Sequence, residues 1–182
     1  MPERKIVRVL DKLKQDIKVV THFLMNQVAS NPQILQEITP RRFEELVCEL
    51  FEKEGNHVEL TKQTRDGGKD LIILNNSSLG DFVIYAECKK RAPKYPVNVG
   101  FVRELYGTVN ADNTTAGIMV TTSYFSRDAR KYQEKIKSRM SLIDYTELMK
   151  RIMTCKCNGH INKKIRETGY FCHRDPDENG SV

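Results

Sequence analysis

The stretch KQTRDGGKDLIILNNSSLGDFVIYAECKKR, residues 62–91, carries Asp70 where one apolar run begins and Glu87-Cys88-Lys89 where the next one ends. Side chains alternate along an extended chain, so Glu87 and Lys89 share a face with Val83 and Tyr85. A hard divalent cation such as Mg²⁺ binds carboxylate and water oxygens; it activates water and steadies a leaving oxygen. Asp70 and Glu87 supply two carboxylates, and the backbone carbonyl of Cys88 is a further candidate ligand. An ammonium at Lys89 can orient an attacking water and offset the charge that builds on a phosphate. The set can therefore support metal-assisted hydrolysis of a phosphodiester. Taken singly, each residue is ordinary. Glu and Lys two apart on a strand make a surface pair, and Asp after Gly-Gly-Lys is a turn residue. Their placement at adjacent strand ends carries the reading.

The surrounding elements must bring those ends together. Asp70–Leu74 reads as a buried strand, Asn75–Gly80 as a polar turn, and Phe82–Lys89 as the second strand of a hairpin. Phe82–Lys89 is mostly apolar on both faces until Glu87, which marks a strand covered on both sides. Upstream, Thr39-Pro40 starts a helix that runs to Glu54 and stops at Gly55, with Thr as N-cap and Pro at the first position. Its apolar stripe is Phe43, Leu46, Val47, Leu50 and Phe51. Advancing 100° per residue places Glu45 and Glu49 on the wet side. Glu44 falls at the edge of the stripe, where a carboxylate can look inward to a metal's water shell or a second ion. His57–Thr61 reads as a short strand, and Asp66-Gly67-Gly68 as a turn that calls for positive backbone angles.

Downstream, Val97–Ala111 reads as a helix, Ala116–Thr121 as a strand, and Arg127–Arg139 as a basic helix capped by Ser126. Leu142–Asp144 and Thr146–Met153 give a last strand and helix. A hairpin followed by strand–helix–strand units predicts an α/β fold, a mixed central sheet flanked by helices on both faces. Residues 3–29 are helical in pattern, with Ile6, Val9, Leu10, Leu13, Ile17, Val20, Phe23 and Leu24 at three- and four-residue intervals. That face packs on the domain or on a second copy. The chain thus divides into an N-terminal helical extension (1–30), a domain (31–153) and a tail (154–182).

A chain of 182 residues suffices for one compact domain with an extension. The net charge of +6 and pI of about 9.0 fit a soluble charged surface or a polyanionic partner. No apolar run approaches the ~20 residues that cross a bilayer. The start, MPERKIVRVLDKLKQ, is interrupted by charges and has no signal-peptide core. The five cysteines are odd in number and read as reduced thiols. The expected location is the cytoplasm, with no membrane partner. The tail holds Cys155, Cys157, His160, Cys172 and His173. These are zinc-capable side chains, but they begin C-x-C rather than with the wider pair of familiar zinc motifs. A mobile or loosely docked tail is the expectation.

The series Phe43-Glu44-Glu45-Leu46-Val47, Arg65-Asp66-Gly67-Gly68-Lys69-Asp70, Glu87-Cys88-Lys89, Gly107 and Val120-Thr121-Thr122 closely resembles the Mrr-type restriction endonuclease catalytic domain. That domain is a branch of the PD-(D/E)xK nuclease superfamily. The likeness covers roughly residues 31–153. It implies a restriction-endonuclease-like αβββαβ core and Mg²⁺-dependent cleavage of DNA, with Mn²⁺ able to substitute. Asp70, Glu87 and Lys89 match the catalytic triad, and Glu44 matches the helix carboxylate. Many Mrr-type domains carry Gln at the place of Glu87. Here the residue is Glu, the general superfamily form. Lys69 stands where the hallmark motif has Pro.

With such a site, Arg65, Lys90, Arg91 and Lys94 flank it, and Thr121, Thr122 and Ser123 end a strand ahead of a helix. These are expected to hold backbone phosphates rather than read bases. The expected role is restriction or antiviral defence against foreign DNA. A structure-selective nuclease such as a junction resolvase shares this core. A catalytically silent DNA-binding or assembly module of the same fold is the rival outside enzymes. The intact set Glu44, Asp70, Glu87 and Lys89 speaks against it. No separate specificity region is evident in the sequence, so DNA is read through its shape or another subunit supplies recognition. Cutting two strands with one centre calls for two copies, and a homodimer through the N-terminal helix is the expectation.

Overall fold

The computed structural model describes residues 2–61, 68–77 and 80–155. In chain order the elements are α1 (Pro2–Ser30), α2 (Ile34–Glu37), α3 (Pro40–Lys53), β1 (His57–Leu60), β2 (Leu71–Ser77), β3 (Gly80–Lys89), α4 (Val99–Ala111), β4 (Ala116–Thr121), α5 (Arg127–Lys135) and β5 (Met140–Ile143). A last helix, α6, occupies residues 145–155. The five strands lie in one sheet in chain order. β1–β2 and β2–β3 are antiparallel, while β3–β4 and β4–β5 are parallel. This is the α/β architecture expected, a mixed sheet with helices on both faces and a helix ahead of it.

Alternation along the strands builds two core layers. On one face Phe43, Leu46, Val47 and Leu50 of α3 and Leu148 and Ile152 of α6 pack over Leu71, Ile73, Ala86 and Val120. On the other, Val102, Leu105 and Val109 of α4 and Ala129 of α5 cover Tyr85 and Met119. β3 contributes to both layers, so its last residues emerge between them. α3 forms where its stripe and caps agree. Thr39 accepts a hydrogen bond from the Arg42 N–H at 3.2 Å, Pro40 opens the helix, and Gly55 takes φ +93° just past its end. All five expected stripe residues are buried. Their burial contributes on the order of 10 kcal/mol before chain entropy is counted.

Gly117 of β4 marks the tightest approach in the second layer. A Cβ there would lie 2.6 Å from Met140 Sδ and 2.9 Å from Val109 Cγ2. Met140 can swing aside; the β-branched Val109 cannot without moving α4. Gly117→Ala is expected to cost about 1–3 kcal/mol, read as a lowered midpoint in urea melts.

Three expectations are corrected. The hairpin does not turn over 75–80: β2 continues through Asn75 and Asn76 to Ser77, which pairs with Gly80. The antiparallel backbone ladder carries the strand past the apolar run. α5 ends at Lys135 rather than 139, because Ile136 leaves helical geometry and packs into the second layer. Residues 136–139 then form a turn that starts β5 two residues early, with Met140 opposite Gly117. Glu45 and Glu49 are not on a wet face. α1 packs across it, leaving their side chains 17% and 13% exposed, and His22 lies 3.6 Å from Glu49.

α1 docks through its last third. Thr21, Met25 and Val28 are buried, while Leu13, Ile17, Val20 and Phe23 remain exposed. Arg65 and the Cys- and His-bearing residues 157–173 lie outside the described residues, as does most of the tail.

Candidate active site

Leu71 faces Ala86 across the β2–β3 ladder, so the next antiparallel step sets Asp70 opposite Glu87. The Asp70 N–H donates to the Ala86 carbonyl at 2.9 Å. In return the Cys88 N–H donates to Asp70 Oδ2 at 2.7 Å, so β3 itself orients the Asp70 carboxylate. The residues ahead of Asp70 are fastened on both sides. Thr61 Oγ1 donates to the carbonyls of Lys69 and Asp70 at 2.9 and 3.0 Å. Lys69 pairs with Asp112 at 2.8 Å and lies over the Tyr85 ring, whose hydroxyl donates to the same Asp112 oxygen. Gly68 takes φ +79°, the left-handed conformation expected of this turn.

Glu87 is 3% exposed on the α4 side of the sheet. Its Oε1 is in contact with the Lys89 ammonium. Its Oε2 is buried with no hydrogen-bond partner among the described residues. Burial pushes the Glu87 carboxyl above its usual range; Lys89 pulls it down, and Asp70 and Glu104 push it up further. The Lys89 ammonium also lies 4.7 Å from the centre of the Phe101 ring, and the Arg91 guanidinium 4.9 Å from the same ring. One aromatic face on α4 thus positions two cations at the end of β3.

Glu44 reaches the site from α3. Arg41 bridges it at 2.9 Å and also donates to the Thr61 carbonyl at 3.0 Å, tying α3 to the end of β1. Burial raises the Glu44 carboxyl, Arg41 opposes this, and Asp70 adds to it. Asp70 therefore stands in the electrostatic reach of both glutamates. The Cys88 side chain packs against the first core layer, where burial holds its thiol protonated.

These groups fit a hard cation. Carboxylates crowded at one strand end raise one another's proton affinity, and a buried oxygen without a partner is a costly state that a cation relieves. Among the described residues no group of three His, Cys, Asp or Glu is gathered to hold an ion. Asp70 and Glu87 offer two carboxylates opposite one another at this strand end.

The hydroxyls expected to bind phosphate do something else. Thr121, Thr122 and Ser123 are 0%, 1% and 3% exposed. Thr121 Oγ1 donates to the Lys89 carbonyl at 2.7 Å. Thr122 Oγ1 donates to the Arg91 carbonyl and accepts from its N–H, both at 2.8 Å. Ser123 Oγ donates to the Tyr95 carbonyl at 2.8 Å. The three fasten the 89–95 segment to the end of β4, because the parallel register sets Lys89 beside Thr121. Lys90 is likewise turned inward, donating to the Gln36 carbonyl at the end of α2 at 2.9 Å. Arg91 is partly exposed, and Lys94 is exposed beside Tyr95. Thr122→Val would strip both bonds from Arg91. It is expected to cost about 1–3 kcal/mol in a denaturant melt.

Sequence periodicity missed Phe101, Thr61, Gln36 and the Lys69–Asp112–Tyr85 cluster. Only the i, i+3 spacing of Arg41 and Glu44 was a local signal; the rest are brought together by the fold.

A hairpin running into a parallel pair, with Asp, Glu and Lys at its open end, defines a restriction-endonuclease-like fold. The chain belongs to the Mrr-type restriction endonuclease family: the model of the Mrr catalytic domain, described as a restriction endonuclease, matches residues 35–152. It is 26% identical over 144 residues to the type IV methyl-directed restriction enzyme EcoKMrr of Escherichia coli K12, covering 76% of this chain and 45% of that protein. It is 29% identical over 108 residues to the uncharacterized protein y4cE of Sinorhizobium fredii, covering 58% and 27%. The chain spans less than half the length of these curated relatives. Among solved structures, the DNA modification-dependent restriction endonuclease AspBHI shares the fold. Its TM-score is 0.53 at 19% identity, over 85% of this chain and 40% of that one.

Proposed function

We propose that the protein is a Mg²⁺-dependent DNA endonuclease that hydrolyses phosphodiester bonds in restriction of foreign DNA, antiviral defence included, in the cytoplasm. The observation that carries this reading is Glu87, buried opposite Asp70 with one oxygen on Lys89 and the other without a partner among the described residues. Asp70, Glu87 and the Cys88 carbonyl would hold the ion, and Mn²⁺ would serve in its place. When bound, the ion supplies Lewis acidity at the phosphate and lowers the pKa of water.

The chain's own residues do the rest. Lys89, held between Glu87 and the Phe101 ring, presents its ammonium where charge grows on the phosphate. It also orients the incoming water. Glu44, with its carboxyl raised by burial, is placed to take or pass a proton near Asp70. Arg91 and Lys94, with Arg65, hold the DNA backbone; Lys90 and the three hydroxyl residues position that segment from within. Sequence choice comes from DNA shape or a separate recognition subunit, and cutting both strands requires two copies.

The test is cleavage of supercoiled plasmid and of single-stranded DNA with Mg²⁺, with Mn²⁺ and with EDTA. Metal-dependent nicking is the expected result. Salt-sensitive DNA binding with no cleavage under any metal would instead make this a binding module.

A further inference from the structure

We infer that three tyrosines gathered at the carboxyl ends of β3, β4 and β5 form a stacking platform for unpaired bases, so that this site takes DNA with single-stranded nucleotides beside the bond to be cut. The inference rests on the nuclease reading above. Tyr95, Tyr124 and Tyr145 are 53%, 48% and 37% exposed. These are the exposed tyrosines among the described residues. Tyr85 is buried, and Tyr106 and Tyr132 are half-buried edge to face against each other. The three stand far apart in sequence, yet one buried serine joins them. Ser123 Oγ donates to the Tyr95 carbonyl at 2.8 Å, and the Ser123 carbonyl accepts from the Tyr145 N–H at 2.9 Å. Tyr124 is the next residue.

The cluster lies on the same edge of the sheet as the catalytic candidates. β3, β4 and β5 run parallel, so the loops that follow them leave from one edge. β2 is antiparallel to β3, so Asp70 stands on that edge too. Lys89 is in register with Thr121, and Ser123 is two residues further on, within roughly 10 Å at ~3.3 Å per residue. In open α/β sheets ligands bind outside the carboxyl ends of the strands.

The backbone that carries the rings is fixed. The Val97 N–H donates to the Tyr124 carbonyl at 2.8 Å, and the Ser126 N–H donates to the Val97 carbonyl at 2.9 Å. Tyr145 opens α6 just after Asp144, whose Oδ1 accepts from the Glu147 N–H at 3.0 Å. Little backbone freedom is therefore left to lose when a flat ligand stacks. The charge around the rings selects that ligand. The Lys94 ammonium lies 5.1 Å from the centre of the Tyr95 ring, Arg127 follows Tyr124 at the start of α5, and Lys150 shares a groove with Tyr145. The neighbouring carboxylates are already paired, Asp144 with Arg130 and Glu147 with Arg151. Aromatic faces among cations suit the bases and phosphates of one strand, and every base has a face to stack; in a duplex those faces are covered by neighbouring pairs.

Binding of a fluorescein-labelled oligonucleotide of about 20 nucleotides tests this, as a single strand and as a blunt duplex, read by anisotropy on the full chain in EDTA. The wild type is expected to prefer the single strand. Tyr95→Ala/Tyr124→Ala should weaken it about tenfold or more, with unchanged circular dichroism, and the duplex by about threefold or less. Tyr95→Phe/Tyr124→Phe should stay within about threefold of wild type on the single strand, since the ring stacks and not the hydroxyl. Tyr124→Ala/Tyr145→Ala is a second pair with the same expectation, should the first disturb the loop after β3. Alanine pairs that keep their single-strand affinity, or lose both probes alike, overturn the inference, as does a wild type that prefers the duplex. Plasmid cleavage with Mg²⁺ separates this from the nuclease reading. A protein that nicks plasmid while its alanine pairs bind the single strand normally is a nuclease without the platform. A loss confined to the single strand, in a protein that cleaves nothing, keeps the platform and makes the chain a binding module.

Discussion

Lys89→Ala is expected to lower metal-dependent cleavage about 10³-fold at saturating Mg²⁺ while leaving DNA affinity within a few-fold. The size follows from where the ammonium sits. It contacts the buried Glu87 carboxylate and rests against Phe101, so it is placed before substrate arrives. Alanine removes both a donor for the developing phosphate charge and the group that pulls the Glu87 carboxyl downward. The second loss has its own signature. With Lys89 gone, burial, Asp70 and Glu104 all push the Glu87 carboxyl in one direction, upward. The variant's residual activity should therefore rise to its plateau at a higher pH than that of the wild type. Lys89→Arg keeps the charge but replaces a compact ammonium by a planar fork, and should recover only part of the rate. Single-turnover cleavage from pH 6 to 9 reads all three effects. A Lys89→Ala enzyme with more than a tenth of wild-type activity would remove this residue from the centre.

The parts of this molecule that could be read from sequence are those fixed by local chemistry. α3 was legible because its stripe, its Thr-Pro start and its Gly stop agree, and the buried set matches the stripe residue for residue. The strand ends at Asp70 and Glu87 were legible because polar residues interrupt apolar runs there. What failed was the assumption that a polar face is a wet face. Glu45 and Glu49 are covered by α1, whose register on α3 is a tertiary choice. The hydroxyls of Thr121, Thr122 and Ser123 suggested phosphate ligands. In the fold, a parallel neighbour brings the 89–95 carbonyls to them and uses their donors up. Phe101 had no signal at all, since one aromatic on an amphipathic helix reads as core. Its use becomes visible only when β3 delivers Lys89 and Arg91 to the same ring.

Glu87→Gln should abolish cleavage, by about 10³-fold or more, and make the metal-free protein more stable at neutral pH. The first half follows from loss of a charged ligand whose neutral replacement binds a hard cation weakly. The second follows from the direction of the Glu87 shift. Its carboxyl is raised in the folded chain, burial being the largest cause, so folding favours the protonated form. Stability from this group is therefore fully present below the ordinary carboxylate pKa of about 4.3 and is lost as pH rises through the raised value. At neutral pH the metal-free wild type carries a buried charge that Lys89 only partly offsets. Gln is neutral at every pH and close in shape, so it avoids that cost. In EDTA at pH 7 the variant should melt a few degrees higher, the shift produced by about 1 kcal/mol in a domain of this size. At pH 4 the two should converge. Glu44 is raised as well but is common to both proteins, so its titration cancels in the difference. Mg²⁺ should then raise the melting temperature of the wild type by mass action and leave the variant nearly unmoved. A wild type that melts above Glu87→Gln in EDTA at pH 7 would mean that Lys89 fully compensates the buried charge. The unpartnered Glu87 oxygen would then no longer argue for a cation at this strand end.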